Sequence, residues 1–406
     1  MRSVLGLMIF AAGLAGAENW PGWRGPCGDG TSLEKSPPTH WSSTSNSVWK
    51  IRVEGEGHSS PIIWDNRVFL TTALPESQER VLLSLDRKTG AILWRQTVVR
   101  APLEAKNNEN SYASATPVTD GKKIYVTFLD RDEAVVAAYD FAGKRLWLVR
   151  PGRFQSQWGF SHTPVLFEDK VILVCYSKGE NFVVALNRAN GQTVWKTAGE
   201  NPSQSYSPPL IRKMAGRDQL IAAGNSAVTS YDPRTGKVLW FVAGLAADSV
   251  ATPVYHEKAN LVLACTSWPA KVLVAIKPDG SGNVTSNRVV WKTTEGAPYV
   301  PSPLAVGDWF FTSSFAGKAA YCYEAATGKV LWKETMGLHH ASPVTANGLV
   351  YFLNDDGVMH VVKAGPKFEL VARNDLGEKT YASPVLSGGQ LFLRGFQNLY
   401  CIGRPQ

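Results

Sequence analysis

The chain has 406 residues, of which 44% are hydrophobic and 19% charged, and its formal net charge is +8. With 36 Gly, 24 Pro and 14 Trp, this composition excludes a disordered or fibrous chain and describes a turn-rich globule with a large core. Lys and Arg are scattered among Asp and Glu without a basic run, which argues against a nucleic-acid-binding protein.

Residues 1–17 have the pattern of a secretory signal peptide. A positive residue, Arg2, precedes an apolar stretch at residues 4–14, and residues 15–17 supply a small-x-small end. A membrane anchor is the alternative, but the apolar stretch is shorter than the ~20 residues that span a bilayer. We therefore expect cleavage after Ala17, a periplasmic or secreted mature protein, and no membrane span once the leader is removed.

Residues 18–46 follow, and Gly and Pro interrupt them too often for a regular element. Their head reads ENWPGWRGPCGDGTS. We expect an irregular N-terminal strap that lays the rings of Trp20 and Trp23 on the rest of the protein. The alternative is that Arg24 and Asp29 form part of a functional site.

From residue 47 onward the chain repeats a unit that opens with a Ser/Thr-Pro step. All eight steps carry a hydroxyl before the proline: Ser60-Pro61, Thr116-Pro117, Thr163-Pro164, Ser207-Pro208, Thr252-Pro253, Ser302-Pro303, Ser342-Pro343 and Ser383-Pro384. Proline suits the start of an innermost strand, where no ladder donor is needed, and the hydroxyl can bond a nearby backbone group. We therefore give these steps a structural role and do not count their serines as nucleophiles.

A second landmark closes each repeat and also counts to eight. Trp49, Trp94, Trp147, Trp195, Trp240, Trp291 and Trp332 fall in the final strand of their repeats, and Val371 takes the eighth place. Between the landmarks lie short strand-like runs and Asx-to-Gly hairpin turns, such as Asp232 to Gly236. Four strands in a repeat of this length are typical of a propeller blade. The sequence therefore predicts an all-β fold in which residues 47–402 form an eight-bladed β-propeller of four-stranded antiparallel blades, followed by a tail at residues 403–406.

The two ends of the repeat region predict how the ring closes. The last repeat stops after its third strand, whereas residues 47–53 resemble a fourth strand with no repeat in front of it. We expect the N-terminal strand to complete the last blade, because such closure removes exposed sheet edges. The fifth repeat carries an insertion, PDGSGNVTSNR, before Trp291. It is most simply a longer outer hairpin.

The five cysteines do not suggest a disulfide framework. Cys175 and Cys265 occupy similar places in two repeats, and Cys322 and Cys401 occupy similar places in two others. Because those repeats are not neighbours, the sulfur atoms should lie too far apart to form a bridge. We expect four buried thiols that behave as small apolar residues, with Cys27 unassigned.

The repeats resemble the tryptophan-docking repeats of quinoprotein dehydrogenases and their non-enzymatic relatives. The motifs that carry this resemblance are ALNRANGQTVW, SYDPRTGKVLW and CYEAATGKVLW. The chain is most similar to secreted bacterial propeller proteins with pyrroloquinoline quinone (PQQ)-like repeats, which share the W-P-x-x-R-G-P-x-x-D-G head at residues 20–30 and the G-x-S-S-P step at residues 57–61. A further relative is the propeller lipoprotein of the outer-membrane assembly machinery. The resemblance implies that each closing Trp docks against the neighbouring blade.

The resemblance also raises the question of a cofactor. The large PQQ-dependent alcohol dehydrogenases of this superfamily carry adjacent cysteines that stack on the quinone and a catalytic Asp beside a Ca²⁺ ion. This chain has no two adjacent cysteines, no C-x-x-C-H haem motif and no acidic cluster with the pattern of a Ca²⁺ cage. We expect no cofactor, and PQQ with Ca²⁺ remains the alternative.

The loops that enter the innermost strands of a propeller open at one face of the central channel, which we call the mouth. We predict a ligand-binding site there. Nine residues are its candidates: His58, Tyr112, Trp158, His162, Tyr206, Tyr299, His339, His340 and Tyr381. The aromatic rings suit a planar or sugar-like ligand, and packing of the channel is the alternative.

The histidines of the mouth allow a second hypothesis. His58, His162 and His340 are candidate metal ligands or acid-base groups, and polar residues lining a wet funnel are the alternative. His339 and His340 are neighbours, and neighbouring side chains on a strand point to opposite faces, so only one should face the channel.

We therefore expect an exported, monomeric propeller scaffold that binds a ligand or an envelope protein through its central-channel face. The alternative function is PQQ-dependent dehydrogenation of alcohols or sugars.

Overall fold

The computed structural model describes residues 18–42, 45–199 and 204–405. The predicted signal peptide at residues 1–17 lies outside these ranges. The described residues form eight β-sheets and no helix. This part of the chain therefore contains no helix that could cross a membrane. Each sheet contains one antiparallel, four-stranded blade of a ring, and two sheets carry a short fifth strand that pairs parallel, which confirms the predicted eight-bladed β-propeller.

We label the strands of each blade a to d, from the channel outwards. Blade 1 contains Ile62–Trp64, Arg67–Leu74, Glu79–Asp86 and Ile92–Arg100. Blade 2 contains Val118–Thr119, Lys123–Asp130, Glu133–Asp140 and Arg145–Arg153. Blade 3 contains Val165–Phe167, Lys170–Tyr176, Asn181–Asn187 and Thr193–Ala198. Blade 4 contains Leu210–Met214, Arg217–Gly224, Ala227–Tyr231 and Val238–Ala243.

The second half of the ring follows the same order. Blade 5 contains Val254–His256, Leu261–Thr266, Val272–Ile276 and Val289–Thr293. Blade 6 contains Leu304–Val306, Trp309–Ser314, Ala319–Glu324 and Val330–Thr335. Blade 7 contains Val344–Ala346, Leu349–Leu353, Val358–Lys363 and Leu370–Asp375. Blade 8 contains Val385–Ser387, Gln390–Arg394 and Asn398–Gly403, with Ser47–Arg52 as its strand d.

The outermost strand of blade 8 comes from the N-terminal part of the chain, which confirms the predicted closure of the ring. Strand Ser47–Arg52 pairs antiparallel with Asn398–Gly403, and Lys50 lies opposite Tyr400. Trp49 then docks on blade 1, because its Nε1 donates to the carbonyl oxygen of Arg87 at 2.8 Å. The ring is thus sealed by a strand from the N-terminal side of the chain.

The Ser/Thr-Pro steps link the blades around the channel. At five of the eight steps the backbone N–H of the residue before the proline donates to the hydroxyl of the next step, as in Ser302 to Ser342 and Ser342 to Ser383, both at 2.9 Å. The hydroxyl of Ser60 donates to the carbonyl oxygen of Ser383 at 3.0 Å, where the last blade meets the first. The hydroxyls therefore satisfy backbone groups of neighbouring blades, as the structural assignment requires.

Six of the seven closing tryptophans dock on the following blade. Their indole N–H groups donate to carbonyl oxygens there, for example from Trp94 to Phe141 at 2.9 Å and from Trp332 to Gly365 at 3.0 Å. Trp240 is the exception, since its Nε1 bonds Oε1 of Gln219 in its own blade at 2.7 Å. The family expectation that each Trp docks on its neighbour therefore fails at one position.

The insertion of the fifth repeat explains that exception and corrects one prediction. It is not simply a longer outer hairpin, because strand Gly282–Asn283 crosses to blade 4 and pairs parallel with residues Trp240 and Phe241. Val284 is buried in the same contact. The insertion occupies the turn that carries the docking carbonyl in other blades, and it covers the outer edge of blade 4.

All five cysteines are free, and four of them are buried in strands b or c. The strands supply the hydrophobic core, in which residues such as Ile62, Val126 and Phe311 are fully buried. The core therefore lies between blades and is continuous around the ring, whereas loops and turns carry the residues that vary from blade to blade.

The N-terminal strap lies across the face opposite the mouth. Trp20 forms a backbone bridge with Ile63 near the end of strand a in blade 1, and strand Thr31–Ser32 pairs parallel with Val344–Ala346 of blade 7. Between these points the Nε1 of Trp23 donates to Thr252 of blade 5 at 2.8 Å. The strap therefore spans the channel exit.

Arg24 is the residue of the strap that enters the ring. Its guanidinium donates to the carbonyl oxygens of Pro343 at 2.5 Å and Pro303 at 3.0 Å, and it is buried. Gly30 has a φ of +91°, and a Cβ atom there would lie 2.4 Å from the guanidinium, so only glycine fits. Asp29 forms an ion pair with Arg212 at 2.9 Å. The head motif thus builds a plug, by which we mean Trp23 and Arg24 of the strap set against the inner strands, and Arg24 does not line the mouth.

Candidate functional site

The mouth of the channel holds an open cavity of about 660 Å³. All eight loops between blades contribute to its wall, from His58 in the loop before blade 1 to Tyr381 in the loop before blade 8. The ring of Trp23 from the strap reaches it from the opposite face. The channel is therefore a blind pocket with a volume in the ~300–1,000 Å³ range of small-molecule sites.

Six of the nine predicted site residues line this cavity. They are His58, Trp158, Tyr206, Tyr299, His340 and Tyr381. The structure brings these residues together from six different loops, although they are far apart in the sequence. The other three lie outside the cavity wall.

Behind the cavity wall lie the other three predicted residues, Tyr112, His162 and His339, whose side chains contact other parts of the protein. The ring of Tyr112 contacts Lys106, whose Nζ lies 4.9 Å from the ring centroid. The Nε2 atom of His162 lies 2.8 Å from the carbonyl oxygen of Ser205, and burial lowers the pKa of this histidine to about 4. Burial likewise lowers the pKa of His339 to about 4. Both are neutral core histidines.

His340 is the most firmly held polar group of the cavity. Asp355 accepts a hydrogen bond from the backbone N–H of His340 at 2.7 Å and lies 2.9 Å from its Nδ1. The ring stacks on Tyr381 with centroids 4.0 Å apart. With Nδ1 held by a carboxylate, Nε2 points to Glu109, whose Oε2 lies 3.7 Å away. His340 can therefore form a hydrogen bond with a ligand through Nε2.

His58 lies on the other side of Tyr381, with ring centroids 5.0 Å apart. Burial lowers the pKa of His58 to about 3, and the positive charges of Arg394 and Lys106 and the neighbouring His340 add to this effect. A ligand therefore meets a neutral imidazole at this place in the wall.

Sequence reasoning missed three side chains that shape the cavity, and all three lie on turns between strands b and c. Lys178 and Trp268 line the cavity, and Asp355 holds His340. The prediction considered the loops that enter strand a, but the turns between strands b and c open at the same face. Reading those turns as well would have found Trp268, which lies two residues after strand b of blade 5.

The three histidines proposed as metal ligands do not form one site. His58 and His340 line the cavity and His162 does not. Among the residues that the structure describes, no group of three or more His, Cys, Asp and Glu side chains could hold a metal ion.

The cavity also does not fit PQQ with Ca²⁺ as the quinoprotein enzymes hold it. PQQ is a planar polycarboxylate, yet the wall offers one lysine, Lys178, against the carboxylates of Glu109 and Asp248. None of the five cysteines lines the cavity, so no thiol pair is present to stack on a quinone. The described acidic residues form no cage for the ion.

A comparison with known protein families finds one match that covers most of the chain. The family model described as outer membrane protein assembly factor BamB matches residues 39–104, 77–334 and 270–366. A polyvinylalcohol dehydrogenase from a Pseudomonas species is 24% identical over 242 residues, which are 55% of this chain and 35% of that protein. The matched part thus spans about a third of this curated relative.

Two solved structures share the fold. BamB from Moraxella catarrhalis is 17% identical, with a TM-score of 0.62 over 88% of this chain and 99% of that one. A europium-containing methanol dehydrogenase is 11% identical, with a TM-score of 0.58 over 95% of this chain and 98% of that one. At these identities the likeness concerns the fold alone.

Proposed function

Because the chain belongs to the family of outer membrane protein assembly factor BamB, a propeller type shared with PQQ dehydrogenases, we propose that it is an exported binding scaffold of the cell envelope. Its ligand or envelope-protein partner enters the mouth of the central channel. The envelope location rests on the leader-like residues 1–17 together with the description of the family.

The observation that carries this proposal is the blind cavity of about 660 Å³ at the mouth. Its wall combines aromatic rings with a few fixed polar groups, which is the usual character of a binding site. The plug formed by Trp23 and Arg24 also favours binding over transport through the ring, because it closes the channel exit.

Native mass spectrometry of the protein purified from its own envelope fraction tests the proposal. The wild-type protein should carry a bound molecule or partner, and the double substitution Trp268→Ala and Tyr299→Ala in the cavity wall should remove it. Leu370→Ala is the matched control, since Leu370 is exposed on an outer strand outside the cavity. A bare wild-type protein, or equal occupancy in the double variant, would refute the mouth as the binding site.

The alternative function, PQQ-dependent oxidation, gains support from the polyvinylalcohol dehydrogenase match. A single experiment distinguishes this dehydrogenase function from the scaffold function. The purified protein is incubated with PQQ and Ca²⁺, and the bound quinone absorbance and dye-linked oxidation of alcohols or sugars are measured. Stoichiometric quinone with turnover would establish the enzyme and overturn the scaffold; absence of both is expected from the misfit of the cavity wall.

A further inference from the structure

The exposed tryptophans of this protein are concentrated at the mouth. The chain has 14 Trp, and the two with exposed side chains, Trp268 at 62% and Trp158 at 41%, both line the cavity. An indole left in water forgoes the free energy of burial, so exposed large aromatics commonly mark a binding surface. Both rings therefore have an open face for a ligand.

The backbones of both tryptophans are fixed, although their rings are free. The carbonyl oxygen of Trp158 accepts a hydrogen bond from Nδ2 of Asn110 at 2.7 Å, and its N–H donates to Ser156 at 2.9 Å. Trp268 forms a backbone bridge with Asp248, whose N–H donates to the Trp268 carbonyl oxygen at 3.0 Å. The positions of the two residues are thus set before a ligand arrives, so no loop has to be ordered on binding, which lowers its entropic cost.

Polar groups lie beside each tryptophan. The carboxyl group of Asp248 is half-buried next to Trp268, and burial raises its pKa. Gln157 precedes Trp158 and lines the same wall, as does Nε2 of His340 with Glu109 nearby. A carboxylate accepts hydrogen bonds from hydroxyl groups, whereas amide and neutral imidazole groups both accept from them and donate to them.

The charge of the wall argues against a polyanionic ligand and against a purely apolar one. Glu109 and Asp248 face Lys178, and His58 is neutral because its pKa is lowered to about 3. A polyanion would meet more negative than positive side chains, and a purely apolar ligand would leave the carboxylates unpaired at a cost in free energy.

We propose that the mouth binds a neutral carbohydrate, a short oligosaccharide or the end of a glycan chain, with Trp158 and Trp268 as stacking platforms. A pyranose ring presents a face of C–H groups, which packs on an indole, and an edge of hydroxyl groups, which suits Asp248, Gln157 and His340. This inference rests on the proposed binding function and names the class of its ligand.

The test is a titration of the full mature chain with a panel of neutral tetrasaccharides, followed by intrinsic tryptophan fluorescence and calorimetry. The panel comprises cellotetraose, xylotetraose, maltotetraose, laminaritetraose and chitotetraose, and PQQ is the planar anionic comparison. We expect saturable binding of at least one sugar and none of PQQ. Trp268→Ala and Trp158→Ala should each weaken it roughly tenfold or more, since aromatic anchors dominate binding sites.

Two further variants complete the titration experiment: Asp248→Asn tests a polar contact, and Leu370→Ala is the control. Asp248→Asn should weaken sugar binding about tenfold through loss of a charged acceptor while retaining the shape of the site. Leu370→Ala should bind as the wild-type protein does. Failure of every sugar, or binding that both Trp variants retain, overturns the carbohydrate inference. If native mass spectrometry still finds a different molecule that the mouth variants lose, the binding function stands without it; if neither experiment finds a ligand, both fail.

Discussion

The indole N–H of Trp240 bonds Oε1 of Gln219 at 2.7 Å inside blade 4, where the six other docking tryptophans reach the next blade. Gln219 uses its remaining groups as well: Nε2 donates to the carbonyl oxygens of Met214 at 2.9 Å and Pro278 at 3.0 Å. Pro278 begins the insertion that crosses to blade 4. A single buried amide thus replaces the usual docking contact between blades 4 and 5.

Gln219→Leu should therefore lower the free energy of unfolding by about 3 kcal/mol, because it leaves the Trp240 indole N–H and the Pro278 carbonyl group buried without partners. Urea unfolding measured by tryptophan fluorescence checks this. Gln192→Leu, at an exposed glutamine, is the control and should change stability by less than about 0.5 kcal/mol. Equal, small effects of both substitutions would show that the amide does not replace the docking contact.

Arg24→Met should destabilise the protein by about 3 kcal/mol, since it removes charged hydrogen bonds to the buried carbonyl groups of Pro303 and Pro343. Burial lowers the pKa of Arg24 to about 10, which leaves it charged at neutral pH. Arg153→Met is the control, because the side chain of Arg153 is 64% exposed. Urea midpoints of the two variants should differ clearly, and coincident midpoints would contradict the role of Arg24 as a plug.

Stability should fall as the pH drops from about 6.5 toward 4. His58, His162 and His339 have folded-state pKa values of about 3, 4 and 4, below the value near 6.5 of an unfolded chain. In this window the unfolded state binds protons that the folded state does not, so acid favours unfolding. At pH 5 each buried histidine should cost about 2 kcal/mol relative to pH 7.5.

His162→Gln tests that pH dependence at one site. The variant should reduce the loss of stability between pH 7.5 and 5 by roughly one histidine's share, measured by urea unfolding at both values. Phe160→Leu alters the same packing without a titrating group, so it should lower stability equally at both pH values. An unchanged pH dependence in His162→Gln would contradict the assignment.

Deletion of residues 47–53 should give insoluble protein or a chain without fixed tertiary packing. The deletion removes the outer strand of blade 8 and the docking of Trp49 on Arg87, and it leaves strand Asn398–Gly403 as an open edge. Near-ultraviolet circular dichroism and calorimetry detect the loss. A cooperative melt like that of the full chain would disprove the closure.

The fold could be predicted from the sequence because each blade repeats its own local instructions. A Ser/Thr-Pro step starts strand a, an Asx-to-Gly turn joins strands c and d, and a Trp closes the unit. Those signals are short-range and occur in most repeats. The unpaired strand at residues 47–53 also predicted its partner, since the last repeat lacked one.

The site could be predicted only in part, because its contacts are long-range. The entry loops gave six of the cavity residues, including His340 and Tyr381, whereas Trp268 lies on a turn that carries no repeat signal. The plug was beyond sequence reasoning: Arg24 bonds Pro343, which is 319 residues away, and no local pattern marks that pairing. The insertion after Pro278 likewise gave no sign that it would cross to blade 4.

The described residues 18–42 cover the channel exit and the strand Ser47–Arg52 completes blade 8, so one N-terminal segment of the chain contributes to both features. Lys50 pairs with Tyr400 from near the opposite end of the chain, and such distant contacts fold slowly. An incompletely folded molecule would therefore have an open-ended tunnel instead of a pocket. The floor beneath the tryptophan platforms exists only once the strap has docked, and ligand capture would thus be confined to fully folded molecules.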